Sequence, residues 1–533
     1  MDAMQTELVV IGGGATGAGV AYDAALRGFK VVLVDRSDLA MGTSGRFHGL
    51  LHSGGRYIWK DKRSAKECMA ENMVLRRIVP DAIEVTGGYF VQTPWDDPAY
   101  ADTFVEGCTA AGIPTEEIDP AEAFAHEPRL NPNISRVFTA PDASIDVWKM
   151  AAALSGAARA QGAEVLRYHR VTSIVREGDA IHGVEVHDER TGETRRIEAS
   201  FVVNASGAWA GEIASMAGCE GVEVIAGKGI MIAMNHRLVN TVINRCQAPA
   251  DGDILVPIRT VSVIGTTDIR TPHPDQLDVT QAEVDQMMDD GERLVPGFRQ
   301  ARALRVWAGA RPLFKDTKAA GATDTRDVSR AHVLLDHLER DGLQGFLTIT
   351  GGKLTTFRLM AEETVDGMCR QLGVDRPCTS HEHRLPGSED GELYSVTHRL
   401  RDREDHLLSD QLVCECELIG RRRLEEALAT QPTTNLDDIR RGLRLGMGPC
   451  QGGFCIYRAT GIMHSVERLD GVEANASLKN FLEERWKGVH PILYGDQLRQ
   501  AALDDWIFKG LLDVEHLPSP APSVAPSDPV PAK

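Results

Sequence analysis

The chain has 533 residues, enough for about three domains and a large buried core. Apolar residues at 42% and charged residues at 25% are ordinary globular usage, which excludes wholesale disorder and a fibrous repeat. With 58 basic against 77 acidic residues the formal charge is −19, so no nucleic-acid partner is expected, and an anionic substrate would need basic residues gathered locally.

In chain order, the first segment, MDAMQTELVV, lacks a basic stretch followed by an apolar one, and no secretory signal is expected. No apolar run approaches the roughly 18 residues of a membrane-spanning helix. A cytoplasmic location follows as the expectation, with membrane contact only through a partner.

Residues 8–17 read LVVIGGGATG, so Gly12, Gly14 and Gly17 satisfy G-x-G-x-x-G directly after an apolar strand. Residues 15–27 have a helical pattern that ends at Gly28, and a second strand, 30–34, stops at Asp35. Each part has a mechanical job in binding a dinucleotide. Gly12 makes the tight turn, Gly14 lets backbone approach a pyrophosphate, and Gly17 lets helix and strand pack closely. The helix start offers free N–H groups to phosphate, and Asp35 accepts from ribose hydroxyls while repelling a 2′-phosphate. This unit alone does not separate FAD from NAD.

Further strand-like runs fall at 184–186, 202–203, 261–264 and 346–350 among helical patterns, which predicts α/β and α+β layers. Residues 202–209 (VVNASGAW) end a strand in a small-residue turn, and 346–357 (FLTITGGKLTTF) end another at Gly351-Gly352. Both turns suit close backbone approach to a cofactor, which favours FAD; simple chain reversal is the alternative.

A charged, weakly patterned stretch, 379–410, reads as a connector. Beyond it, Cys414 and Cys416 are separated by 33 residues from the pair Cys450 and Cys455, whereas the other six cysteines are scattered. Four thiolates in two close pairs suit an iron–sulfur centre, with a structural Zn(Cys)4 site as the competitor. Helices are predicted at 421–430 and 436–445, and Gly448-Pro449 is expected to start another helix facing the centre. Arg440, Arg441 and Arg444 either offset the roughly −2 charge of an oxidised [2Fe–2S] centre or form a solvated helix face. The end, 517–533, alternates Pro with Ser and Ala and is expected to be a disordered tail.

The resemblance that unites these segments rests on residues 12–17, Gly42-Thr43-Ser44-Gly45-Arg46, 48–57 (HGLLHSGGRY), Gly265-Thr266-Thr267-Asp268, Gly309-Ala310-Arg311-Pro312 and 351–356 (GGKLTT). In this order they resemble the FAD-dependent glycerol-3-phosphate dehydrogenases. With the cysteine segment added, the chain is similar to the anaerobic, multi-subunit branch of that family. The cysteine spacing resembles the bacterioferritin-associated-ferredoxin-like [2Fe–2S] domain, in the version with four residues inside the second pair. The resemblance implies a Rossmann-type FAD-binding domain with an interleaved, D-amino-acid-oxidase-like substrate domain over 1–378. It further implies a small helical [2Fe–2S] domain over 411–462 and a C-terminal region over 463–516.

The same resemblance implies oxidation of sn-glycerol 3-phosphate to dihydroxyacetone phosphate, with electrons running from FAD through the cluster. Two further subunits, one membrane-associated and iron–sulfur-containing, would carry them to a quinone, which places this chain at the inner face of the membrane. Arg56, Arg311 and Lys353 are the implied cationic substrate contacts. His52 is the acid/base candidate, with flavin orientation as its alternative, and Asp268 either positions a substrate hydroxyl or caps a turn. The implied flavin contacts are Gly12, Gly14, Gly17, Asp35, Thr43, Ser44, Ala205, Ser206, Gly207, Gly352, Leu354 and Thr355. The implied cluster ligands are Cys414, Cys416, Cys450 and Cys455. Aerobic relatives often carry a histidine where this chain has Met231, so a mechanism needing that second histidine does not transfer. The alternatives are an amino-acid or opine dehydrogenase and a noncatalytic electron carrier.

Overall fold

The computed structural model describes residues 4–316, 331–406, 409–430, 433, 435–466 and 469–518. The expected tail lies outside them, apart from residues 517 and 518. Packing divides the chain into two units: one runs to Ala301 and resumes over Val306–Ser395, and the other joins Arg302–Arg305 to the residues from Val396 onward. The division falls inside the stretch read as a connector, which also contains an unforeseen helix, Val396–His406.

The first unit is built on two large sheets and a small three-stranded one, Leu50–Leu51, Ala143–Ile145 and Ile83–Glu84. The eight-stranded sheet has a parallel centre, in which Thr194–Asn204, Met4–Ile11, Val31–Asp35 and Glu164–Arg167 lie side by side. Phe346–Gly351 pairs parallel to Thr194–Asn204, and His332–Asp336 pairs antiparallel to Phe346–Gly351. The central strands carry apolar runs, Leu8–Ile11, Val31–Val34 and Phe201–Val203, where both faces are covered. Leu8, Val10, Leu33 and Val203 enter one core, with the helices Ala15–Leu26, Val147–Ala160 and Phe357–Leu372 over it. Val9, Ile11, Val32, Val34 and Val202 enter the core on the opposite face. This is the period-2 alternation of a strand buried on both sides.

The nine-stranded sheet is assembled from the intervening chain. Its order runs from Ile269–Thr271 through Val222–Met234, Val261–Gly265, Ile254–Ile258, Val242–Arg245, Gly88–Gln92 and Arg136–Ala140 to Glu117–Ile118, and Ala303–Asp316 pairs with Val222–Met234. The chain thus leaves the first sheet twice to build the second, which is the expected interleaving. Buried ion pairs tie distant segments together. Arg358 on the helix Phe357–Leu372 forks onto Glu71 of the helix Lys62–Ile78, with Nε at 2.8 Å and Nη2 at 2.6 Å from the two carboxylate oxygens.

The second unit is mainly helical. A short hairpin, Leu412–Cys414 with Ile419–Gly420, precedes the helices Arg421–Thr430, Leu436–Leu443, Ile456–Ser465, Gly471–Val489 and Asp496–Asp505. One core joins Val413, Leu424, Ile439, Cys455 and Ile456 to Phe481 and Phe508. The helix expected at Gly448-Pro449 is absent: residues 449–455 form turns, and the helix begins at Ile456, after the last clustered cysteine. The turn is forced by Gln451 and Gly452, both at positive φ, conformations a helix does not admit. Among the described residues, no helix is long and apolar enough to cross a membrane.

Candidate functional site

In the first unit, the carboxyl ends of the parallel strands converge on one cavity of about 970 Å³. Gly12 follows Met4–Ile11, Asp35 ends its strand, Ala205 follows Asn204, and Gly351-Gly352 ends Phe346–Gly351. Ligands bind at this edge of open α/β sheets, because the strand ends and helix starts leave backbone groups unpaired there. A β-carbon on Gly12 would meet Ala205 O at 2.6 Å, so the turn can close only on glycine. Gly14 precedes the helix Ala15–Leu26 and gives it no side-chain cap. Ala15 N instead donates to Ser44 Oγ at 3.0 Å. Asp35 accepts from Gly13 N at 2.6 Å and from Ser37 N at 2.8 Å. Burial raises its pKa, and these bonds oppose the rise.

Of the expected flavin contacts, Gly12, Gly14, Asp35, Thr43, Ser44, Ala205, Ser206, Gly207, Gly352 and Leu354 line the cavity. Gly17 and Thr355 do not. Gly17 packs the helix onto the turn so closely that a β-carbon would lie 1.8 Å from Gly12 O. Thr355 is fully buried and its Oγ1 accepts from His52 N at 3.2 Å. Thr43 Oγ1 donates to Ala310 O at 2.5 Å, so Thr43 and Ser44 both fix their loop as well as facing the cavity.

All five expected substrate-side residues, His52, Arg56, Asp268, Arg311 and Lys353, line the same cavity. The structure also gives them partners that the sequence left open. Arg56 is buried and ion-paired with Asp253, and its Nη1 donates to Arg245 O at 3.3 Å. Arg311 donates to Asp268 Oδ1 at 3.2 Å, to Thr267 O at 2.9 Å and to Thr266 Oγ1. Asp268 therefore holds a cation. Lys353 Nζ lies 4.5 Å from the centre of the Tyr57 ring, and Tyr57 Oη lies 3.5 Å from His52 Nε2. Met231 is buried in the cavity wall.

His48 is the site residue that sequence reasoning misses. It shares the HGLLHSGGRY motif with His52, and nothing in that motif separates the two rings. His48 lines the cavity at 9% exposure, and its Nδ1 accepts from Leu50 N at 3.2 Å. Burial first, and the charges of Arg311 and Arg56 after it, push its pKa down to about 3. The ring is therefore neutral at physiological pH, with its proton on Nε2.

In the second unit the four clustered cysteines converge in a closed ring of thiol contacts. Cys414 and Cys450 each contact both Cys416 and Cys455. Hydrogen bonds between the thiols push Cys414 and Cys450 down and Cys416 and Cys455 up. Four sulfur donors from two loops fit an iron–sulfur cluster. The flanking arginines do not form the solvated helix face. Arg440 pairs with Asp437 at 2.7 Å, Arg441 with Asp438 at 2.5 Å and Arg444 with Glu417 at 3.3 Å. They are buried beside these carboxylates. Two further arginines act on Cys450: Arg485 is buried and donates to Gln451 Oε1 at 3.1 Å, and Arg302 donates to Pro449 O at 2.8 Å.

The FAD dependent oxidoreductase family model matches residues 7–358, and the BFD-like [2Fe-2S] binding domain model matches 412–465. The A subunit of anaerobic glycerol-3-phosphate dehydrogenase from Escherichia coli strain K12 is 43% identical over 96% of this chain and 98% of its own length. The chain belongs to this family of anaerobic glycerol-3-phosphate dehydrogenases. A second member, the A1 subunit from Haloferax volcanii, is 40% identical over 96% of this chain and 92% of its own length. The crystal structure of a glycerol-3-phosphate dehydrogenase from Bacillus halodurans shares the fold, with a TM-score of 0.65, 21% identity, and coverage of 92% of this chain and 96% of that one. The cofactors of this family member are FAD and a [2Fe–2S] cluster.

Proposed function

We propose that the chain oxidises sn-glycerol 3-phosphate to dihydroxyacetone phosphate and passes the electrons on through its [2Fe–2S] cluster. One observation carries this reading: the glycine turn, Arg311, Lys353 and His52 all face a single cavity. A phosphate dianion needs fixed cations, and Lys353 and Arg311 stand there in an otherwise acidic chain. Arg56, held by Asp253, and Arg311, held by Asp268, join Lys353 as the phosphate contacts of this reading.

Bound FAD supplies the acceptor for the C2 hydride and its two electrons. Gly12, Gly14, Asp35, Ser44, Ala205, Ser206, Gly207 and Leu354 hold it, and the chain's side chains manage the rest. His52 takes the hydroxyl proton as the C2–H pair leaves and the C–O bond becomes C=O. Tyr57 Oη beside Nε2 orients the ring. Asp268 fixes the Arg311 guanidinium, so the phosphate meets a group already in place.

In this reading residues 1–378 form the dehydrogenase and 411–462 the electron carrier, joined by 379–410 and followed by the 463–516 region. Two further subunits, one membrane-associated and iron–sulfur-containing, take the electrons to a quinone, with this chain peripheral to the inner face of the membrane. The naming of the relatives as subunits supports that arrangement, as does a cluster able to pass flavin electrons singly. The test is anaerobic addition of sn-glycerol 3-phosphate to the flavin-loaded protein. Bleaching of the flavin band, and none with amino acids or glycerol, is the expected result. No bleaching despite bound flavin overturns the reading.

A further inference from the structure

We propose that His48 is a catalytic residue, whose Nε2–H donates to the C2 oxygen of the substrate as that oxygen loses its proton. The assignment rests on the glycerol-phosphate reading and adds a second imidazole to it, with a different task from that of His52. Three observations carry it. The ring lines the cavity that holds the candidate cations and His52. Its Nδ1 is committed to Leu50 N–H at 3.2 Å, which fixes the neutral tautomer with the proton on Nε2. Among the described residues, no protein group hydrogen-bonds Nε2, so that donor is left to the cavity.

The surroundings suit a donor and not a base. Arg311 and Arg56 both act on the ring, and their positive charges together with burial disfavour a second proton. A ring so placed keeps one proton on Nε2 and has no lone pair to offer the cavity. The oxygen gains negative charge when its O–H bond breaks and the proton goes to His52. It becomes a carbonyl oxygen when the C2–H electrons leave. A fixed N–H aimed at that oxygen stabilises the charge as it develops, without reorganisation. Met231, which with His48 flanks Gly265, offers no donor, so the imidazole supplies the polar group of that wall.

The test compares His48→Leu with His48→Gln, whose amide N–H replaces the Nε2–H but cannot act as a base. Limiting rates of anaerobic flavin reduction by sn-glycerol 3-phosphate are read by stopped flow at equal flavin content. His48→Leu is expected to lose about 100-fold in the limiting rate, the cost of one oxyanion donor, while His48→Gln recovers most of it. A binding measurement accompanies the rates. Dihydroxyacetone phosphate, read by its perturbation of the flavin spectrum, should weaken about tenfold in His48→Leu. Propyl phosphate, which lacks the C2 oxygen, should bind unchanged. A His48→Leu variant as fast as wild type, or a His48→Gln variant as slow as His48→Leu, overturns the assignment alone. A wild-type protein that glycerol 3-phosphate does not reduce overturns the underlying reading, and the assignment falls with it.

Discussion

Arg311 and Asp268 form an ion pair in the cavity wall, with Nη1 3.2 Å from Oδ1 and the carboxylate side chain only 4% exposed. The two residues are 43 positions apart and come from different segments of the chain. The pair anchors the guanidinium in the wall.

Truncating Arg311 does two things at once: it removes a phosphate anchor and takes away the cation paired with Asp268. Arg311→Ala should raise the KM for glycerol 3-phosphate about 100-fold, because removing one partner of a charge-assisted contact to the phosphate costs about 2–5 kcal/mol of binding. The double variant Arg311→Ala/Asp268→Ala should recover roughly tenfold of that loss, since the negative charge of Asp268 is then removed from the phosphate's surroundings. Steady-state kinetics of both variants check this, and a double variant no better than the single one counts against the pair's role.

Gly17 offers a second test. An alanine there would place its β-carbon 1.8 Å from Gly12 O, and the flexible end of a side chain is not what it meets. The turn must shift, at a cost of about 1–3 kcal/mol. Gly17→Ala should fold but purify with most of its flavin missing, as read from the ratio of flavin to protein absorbance. Full flavin content would mean that the turn adapts.

The cysteine ring predicts independence of the two centres at the first chemical step. Wild-type protein should hold about two iron and two acid-labile sulfide per chain. Cys450→Ser opens the ring at two contacts, so iron and sulfide should fall sharply while glycerol 3-phosphate still bleaches the flavin. Onward delivery to a natural acceptor should fail. Zinc as the sole metal in the wild type would contradict the cluster.

The neutral state of His48 has a signature in stability. Its pKa is lowered to about 3 in the folded protein, against 6.5 for an ordinary imidazole. Between those values the unfolded chain binds a proton that the folded chain refuses, so stability falls as pH falls. The contribution is fully present above pH 6.5 and is lost at up to about 1.4 kcal/mol per pH unit down to about pH 3. His48→Gln removes this linkage. The melting temperature of wild type should therefore decline more steeply than that of His48→Gln as pH is lowered from 7 to 4. Parallel curves would mean that folded His48 titrates normally.

Much of this molecule was legible in its sequence because the relevant physics is local. The alternation that sends Leu8 and Val10 to one core and Val9 and Ile11 to the other is a property of eight consecutive residues. The spacing of Gly12, Gly14 and Gly17 between a strand and a helix pointed to a dinucleotide turn, and the paired cysteines pointed to an iron–sulfur centre or its zinc competitor. What the spacing did not contain was the set of partners. Asp253 reaches Arg56 across 197 positions, and Arg485 reaches the Cys450 loop across 34. Even the short-range pairs Arg440–Asp437 and Arg441–Asp438 misled, because one turn of helix looks the same whether water or a core covers it. His48 and His52 are likewise alike as residues in one motif. Folding separates them, burying one ring near two guanidinium groups and setting the other beside a tyrosine hydroxyl. Backbone pattern is written in neighbours along the chain, whereas charge state and hydrogen-bond direction depend on which distant segments remove a group from water, and only the tertiary structure decides that.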